Sequence, residues 1–111
     1  MEFEILENTV NAIKSGKVVA LPTDTVWGLI VHPRDSAALE RLYQFKNRQT
    51  DKPFQCLCAS IEVALSLSDP TRADVKHDLE RLSTLWPGAL TVLVPARADV
   101  PERLQPGGVV G

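Results

Sequence analysis

Apolar and polar positions along the chain switch repeatedly between a helical and an extended period. From Asn8 to Ser15, Val10 and Ile13 recur at helical spacing, with Asn8 placed to cap the start and Gly16 to stop the helix. Lys17 to Leu21 is a strand-like apolar run that breaks at Pro22-Thr23-Asp24-Thr25 and resumes from Val26 to Val31. Pro33-Arg34-Asp35 reads as a turn, with Asp35 capping a helix from Ser36 to Phe45 whose Ala38, Leu42 and Phe45 share one face. Phe54 to Ala59 reads as a third strand, and Ser60 as the cap of a brief helix from Ile61 to Leu67. After the turn Ser68-Asp69-Pro70-Thr71 the longest helix is expected from about Arg72 to Leu85, on Val75, Leu79 and Leu82. Trp86-Pro87-Gly88 stops it, and Leu90 to Val94 is expected as a fourth strand.

Helices alternating with apolar strands predict an α/β fold, a twisted mixed sheet with flanking helices. At 111 residues the chain is expected to hold a single domain, 1–111. Val109-Val110 reads as the start of another strand cut off at Gly111, so the domain is expected to be the N-terminal part of a longer one, truncated at the C-terminus.

Composition narrows the function classes. The chain is 44% hydrophobic and carries 12 Lys+Arg against 14 Asp+Glu, a formal net charge of -2. No overall field draws it to nucleic acid or an anionic membrane, so any anion site has to be local. No apolar run approaches the roughly 20 residues of a membrane span. The N-terminus MEFEILENTV is acidic and lacks the form of a signal peptide. A cytoplasmic location is the expectation. Cys56 and Cys58, at i and i+2 of an expected strand, share a face and are poorly placed to bond to each other. They read as two buried thiols acting as small hydrophobes; half of a metal site is the other reading, with only His32 and His77 left as imidazoles.

Common nucleotide motifs fail. Ser15-Gly16-Lys17-Val18 lacks the Ser/Thr and the first glycine of a P-loop, and Pro106 to Gly111 misses the first glycine of the dinucleotide fingerprint. The basic cluster Lys46, Arg48 and Lys52 has two readings. Basic residues at a helix C-terminus complement the macrodipole, and the same groups near a strand end can form an anion pocket.

Three segments read together carry more. They are Pro22-Thr23-Asp24-Thr25-Val26-Trp27-Gly28-Leu29, Lys46-Asn47-Arg48-Gln49-Thr50-Asp51-Lys52-Pro53 and Trp86-Pro87-Gly88-Ala89-Leu90-Thr91. In order and spacing they resemble the YrdC-like family of threonylcarbamoyl-AMP synthases, with its P-T-[DE]-T-[VA]-[YF]-G-L, K-x-R and W-P-G-P-L-T segments. The resemblance runs from about Gly16 to Pro95. No one segment is specific, but the ordered three are.

The resemblance implies a nucleotidyltransferase that combines L-threonine, bicarbonate and ATP into threonylcarbamoyl-AMP and pyrophosphate. Separate machinery then transfers the threonylcarbamoyl group to the adenine beside the anticodon of certain tRNAs. It implies Thr23 as a contact to threonine, Lys46 and Arg48 as catalytic, and Arg48, Lys52 and Thr91 as nucleotide-binding, with ATP as substrate and Mg²⁺ on its phosphates. No protein metal ligand is implied. For Asp24 and Thr25 a structural turn and a substrate contact stand equally. Trp27 replaces the usual Tyr or Phe and is expected to narrow the pocket. Ala89 and Gln49 each replace a Pro, and Leu57 stands where longer relatives carry a threonine-contacting His. The family's later S-x-N segment does not occur within these 111 residues.

Rival classes remain. YrdC-like domains are also associated with binding RNA, double-stranded RNA included, and a non-catalytic RNA-binding module is the alternative; the charge of -2 counts against it. A related carbamoyl-transfer domain of hydrogenase maturation proteins would bring zinc-finger-like cysteines, which Cys56 and Cys58 do not supply. A domain that keeps the scaffold without the reaction is the third.

Overall fold

The computed structural model describes residues 2–23, 25–47 and 52–111. The backbone divides into two compact units, Met1–Gln49 and Thr50–Gly111.

In the first unit, helix α1 spans Glu2–Lys14 and so begins well before Asn8, which lies exposed inside it instead of capping it. The preceding Glu and Leu residues are good helix formers, and glutamates near the N-terminus suit the macrodipole. Gly16 ends α1 as expected, at φ +88°. Its N–H donates to Ile13 at 3.1 Å and that of Lys17 to Ala12 at 3.0 Å, a left-handed helix end that satisfies two terminal carbonyls.

Helix α2, Ser36–Lys46, starts where the sequence placed it: Asp35 Oδ1 accepts the Ala38 N–H at 3.0 Å. Arg41 reaches back to donate through Nη2 to the Gly16 carbonyl. A side chain at Gly16 would start 2.8 Å from Asp35 Oδ2, in a backbone conformation that L-residues rarely adopt. Gly16→Ala is therefore expected to cost about 1–3 kcal/mol, read as a lower urea midpoint with an unchanged slope.

The buried face of α2 is Ala38, Leu39, Leu42 and Tyr43. Phe45, expected beside Ala38 and Leu42, is 76% exposed. The buried stripe is centred between Leu39 and Leu42, which leaves Phe45 roughly a quarter turn away. Strands β1, Val19–Pro22, and β2, Trp27–Ile30, form an antiparallel hairpin in the register Val19↔Ile30 to Pro22↔Trp27.

In the second unit, the expected strand Phe54 to Ala59 is not a strand. The Cys56 N–H donates to the Gly111 carbonyl at 2.8 Å, but no ladder is assigned over the segment, and β-propensity alone does not make a strand without a paired neighbour. Helix α3, Ile61–Leu67, is capped by Ser60, whose Oγ accepts the Val63 N–H at 3.3 Å. Asp69 Oδ1 accepts from the Thr71 N–H at 2.9 Å and its hydroxyl at 2.7 Å, making the turn into helix α4, Ala73–Leu82. A 3₁₀ turn, Ser83–Leu85, finishes what was expected to be one helix.

The expected strand Leu90 to Val94 shrinks to β3, Val94–Pro95, which pairs antiparallel with β4, Val109–Val110. Leu90 lies in a loop instead of a ladder: its N–H donates to Gly88 at 2.9 Å and its carbonyl accepts from the Trp86 indole at 2.9 Å. Among the described residues the strands thus form two antiparallel pairs where the alternation suggested a continuous mixed sheet. Ala64, Leu79, Val100, Leu104 and Val110 are buried in this unit.

Candidate functional site

The Thr-Asp-Thr interruption is a hydroxyl-centred turn. Thr23 follows β1 directly, and its Oγ1 donates to the Val26 carbonyl at 2.5 Å. The same oxygen accepts from the Val26 N–H at 3.2 Å and the Thr25 N–H at 3.3 Å, and lies 3.3 Å from the Thr25 hydroxyl. A hydroxyl has a single proton. Here it closes the hairpin, so in this geometry Thr23 builds the turn, and its contact with threonine remains an expectation from the resemblance. Asp24 lies outside the described residues. Thr25 is exposed at the tip, and Trp27, cross-strand from Pro22, is 72% exposed beside it.

Lys46 is the last residue of α2 and is exposed, at the end of the helix where a cation complements the dipole. The next residue, Asn47, takes a left-handed conformation (φ +49°), and its N–H donates to Gln44 at 3.1 Å. Asn accepts this conformation more readily than most residues, so it ends α2 directly after Lys46. Arg48 and the residues to Asp51 lie outside the described residues. Lys52 is exposed at the start of the second unit.

Thr91 is exposed and follows a built loop. The Trp86 indole spans from the helix stop to the Leu90 carbonyl, and Gly88 fits because a side chain there would start 3.1 Å from the Leu85 carbonyl oxygen. Asn47 and Trp86 thus shape the backbone within two of the motif segments, a part that the motif reading did not give them. The left-handed preference of Asn was a signal for the first; the indole bond had none, because it depends on how the loop closes. Thr23 and Lys46 lie in the first unit, Lys52 and Thr91 in the second.

Leu57, where the resemblance would have a His, is 70% exposed between Cys56 and Cys58. Both thiols are free and half-buried. Burial pushes both up from the ordinary thiol range, and the Cys58 charge adds to the effect on Cys56. They are thus poor nucleophiles at neutral pH. No helix of the described residues is long and apolar enough to cross a membrane.

Likeness to known proteins runs through both units. The family model of Sua5, YciO and YrdC proteins, described as "Telomere recombination", matches residues 11–110. Threonylcarbamoyl-AMP synthase of Nitrosococcus oceani is 40% identical over 93 residues, 84% of this chain and 49% of that protein. The Bacillus subtilis protein of the same name is 33% identical over 87 residues, 78% of this chain and 24% of its own. A crystal structure of P. abyssi Sua5 complexed with L-threonine has a TM-score of 0.82 at 33% identity, over 92% of this chain and 29% of that one. The chain spans about half the length of the N. oceani relative, and less of the other two. The expected YrdC-like α/β fold is the one observed. With a family model covering nearly the whole sequence and a matching backbone from a family member, the chain belongs to the Sua5/YciO/YrdC family.

Proposed function

We propose that this chain, as a single YrdC-like domain, serves an L-threonylcarbamoyladenylate synthase that feeds tRNA threonylcarbamoyladenosine formation in the cytoplasm. The 40% identity to a threonylcarbamoyl-AMP synthase over 84% of the chain carries this reading. The threonine amine and bicarbonate condense to a carbamate with loss of water. A carbamate oxygen then bonds to the α-phosphorus of ATP, the bond to the bridging oxygen breaks, and its electron pair leaves with pyrophosphate. Negative charge grows on the phosphoryl and departing oxygens, so fixed cations there stabilise the transition state more than the ground state.

In this reading Lys46 and Arg48 supply that charge, Arg48 and Lys52 hold the phosphates, Thr91 bonds to the nucleotide, and the Thr23 turn faces threonine. No side-chain nucleophile is needed, and catalysis is positioning plus electrostatics. Among the described residues no three His, Cys, Asp or Glu side chains gather to hold a metal. Mg²⁺ enters only as a companion of the ATP phosphates, and no step rests on it. An RNA-binding module is the less favoured alternative, since the net charge of -2 offers little to a polyanion.

Pyrophosphate release from ATP by the purified chain is the test. Release that requires both L-threonine and bicarbonate is the expected result. Release independent of either substrate, or saturable RNA binding with no release, would sink the synthase reading.

A further inference from the structure

The loop after the 3₁₀ turn Ser83–Leu85 holds Leu90 by both of its backbone groups. Trp86 is half-buried, and its own N–H donates to Ser83 at 3.0 Å, which anchors it to the end of that turn. From there the indole Nε1–H reaches four residues on to the Leu90 carbonyl at 2.9 Å. The Leu90 N–H donates to Gly88 at 2.9 Å. The clamp is therefore local, and it lies wholly within the second unit.

The carbonyl that the indole holds shares one planar, trans peptide unit with the Thr91 N–H, so fixing one fixes the other. In such a unit the two groups point in opposite directions, and the Thr91 N–H is aimed away from the indole. Thr91 is exposed, and among the described residues no hydrogen bond engages its N–H or its hydroxyl. Its methyl carbon lies 3.6 Å from where a Gly111 side chain would begin, so the methyl is the branch that meets backbone. The N–H and the hydroxyl remain as two neighbouring donors, already held by the loop.

We propose that Trp86 is a positioning residue of the nucleotide site, holding the Leu90–Thr91 peptide so that Thr91 donates through its N–H as well as its hydroxyl. This rests on the synthase reading, which gives Thr91 to the nucleotide. The oxygens of a nucleotide are acceptors, and donors fixed in advance meet them without the cost of ordering a loop on binding. Phenylalanine at position 86 keeps an aromatic ring but has no N–H, so Trp86→Phe removes the clamp and little else.

Titration of the ¹⁵N-labelled chain with ATP tests it, read at the Thr91 amide and the Trp86 indole N–H. Trp86→Phe is expected to weaken ATP about three- to tenfold, the size of one lost hydrogen bond, and to leave L-threonine affinity unchanged. Thr91→Ala is expected to weaken ATP too, and the double variant to lose less than the product of the two, because Trp86 acts through Thr91. Fully multiplicative losses, or equal weakening of ATP and L-threonine, would overturn the positioning role. Unchanged ATP affinity in Trp86→Phe beside a loss in Thr91→Ala would overturn it as well and leave the synthase reading intact. A measurement on the unmutated chain needs no variant to fold: exchange of the Trp86 indole proton with solvent is expected to slow as ATP saturates the Thr91 shift. Exchange that ATP leaves unchanged counts against the proposal. Absence of any shift with ATP overturns it together with the assignment of Thr91, while pyrophosphate release judges the synthase reading separately.

Discussion

Arg48→Ala is expected to lower threonine- and bicarbonate-dependent pyrophosphate release by about 10²–10³-fold, the loss typical of removing one preorganised donor to a developing oxyanion. The reason is the charge change along the reaction. In bound ATP the phosphates are anionic but partly solvated; as the α-phosphorus to oxygen bond breaks, further charge collects on the departing pyrophosphate. A guanidinium is always charged and presents two parallel N–H groups, so it follows that charge without reorganising. The split of kinetic constants is informative. A fall mainly in kcat places Arg48 at the transition state, and a rise only in the KM for ATP makes it a binding residue. Arg48→Lys should recover part of the rate, because charge is kept but the fork is lost. Unchanged turnover in Arg48→Ala would remove Arg48 from the site.

Leu42→Ala is expected to destabilise the chain by about 2–5 kcal/mol, the cost of lost burial plus the cavity left behind. Leu42 is 3% exposed and belongs to the inner face of α2 with Ala38, Leu39 and Tyr43. Phe45→Ala is the matched control. It removes a larger apolar side chain from the same helix, but one that is 76% exposed, so about 0.5 kcal/mol or less is expected. Urea unfolding followed by circular dichroism separates the two. Equal losses would mean that Phe45 is covered in solution and that the inner face of α2 extends beyond Ala38, Leu39, Leu42 and Tyr43.

The candidate site was legible in proportion to how local its chemistry is. Lys46 and the K-x-R segment announce themselves as a run of cations, and the Thr-Asp-Thr break is visible as polar residues between apolar runs. The partner of the Thr23 hydroxyl was not legible. Its donation to Val26 and its acceptance from the Thr25 and Val26 N–H groups follow from the hairpin closing with Pro22 opposite Trp27. The same holds for Trp86, whose indole donates to the Leu90 carbonyl within the loop that stands in place of the start of the expected strand.

By itself the sequence determined the family resemblance, carried by three ordered segments, and most helix ends. Asp35, Ser60 and Gly16 do what their residue types imply, because a cap is a hydrogen bond or a backbone preference within a few residues. The early start of α1 is the exception: Asn8 had the chemistry of a cap, but favourable helix formers lay before it. The tertiary structure alone decided which stripe of α2 faces inward and which of the apolar runs pair into strands. Burial and strand ladders depend on partners distant in sequence, and periodicity, being local, carries no record of which partner arrives.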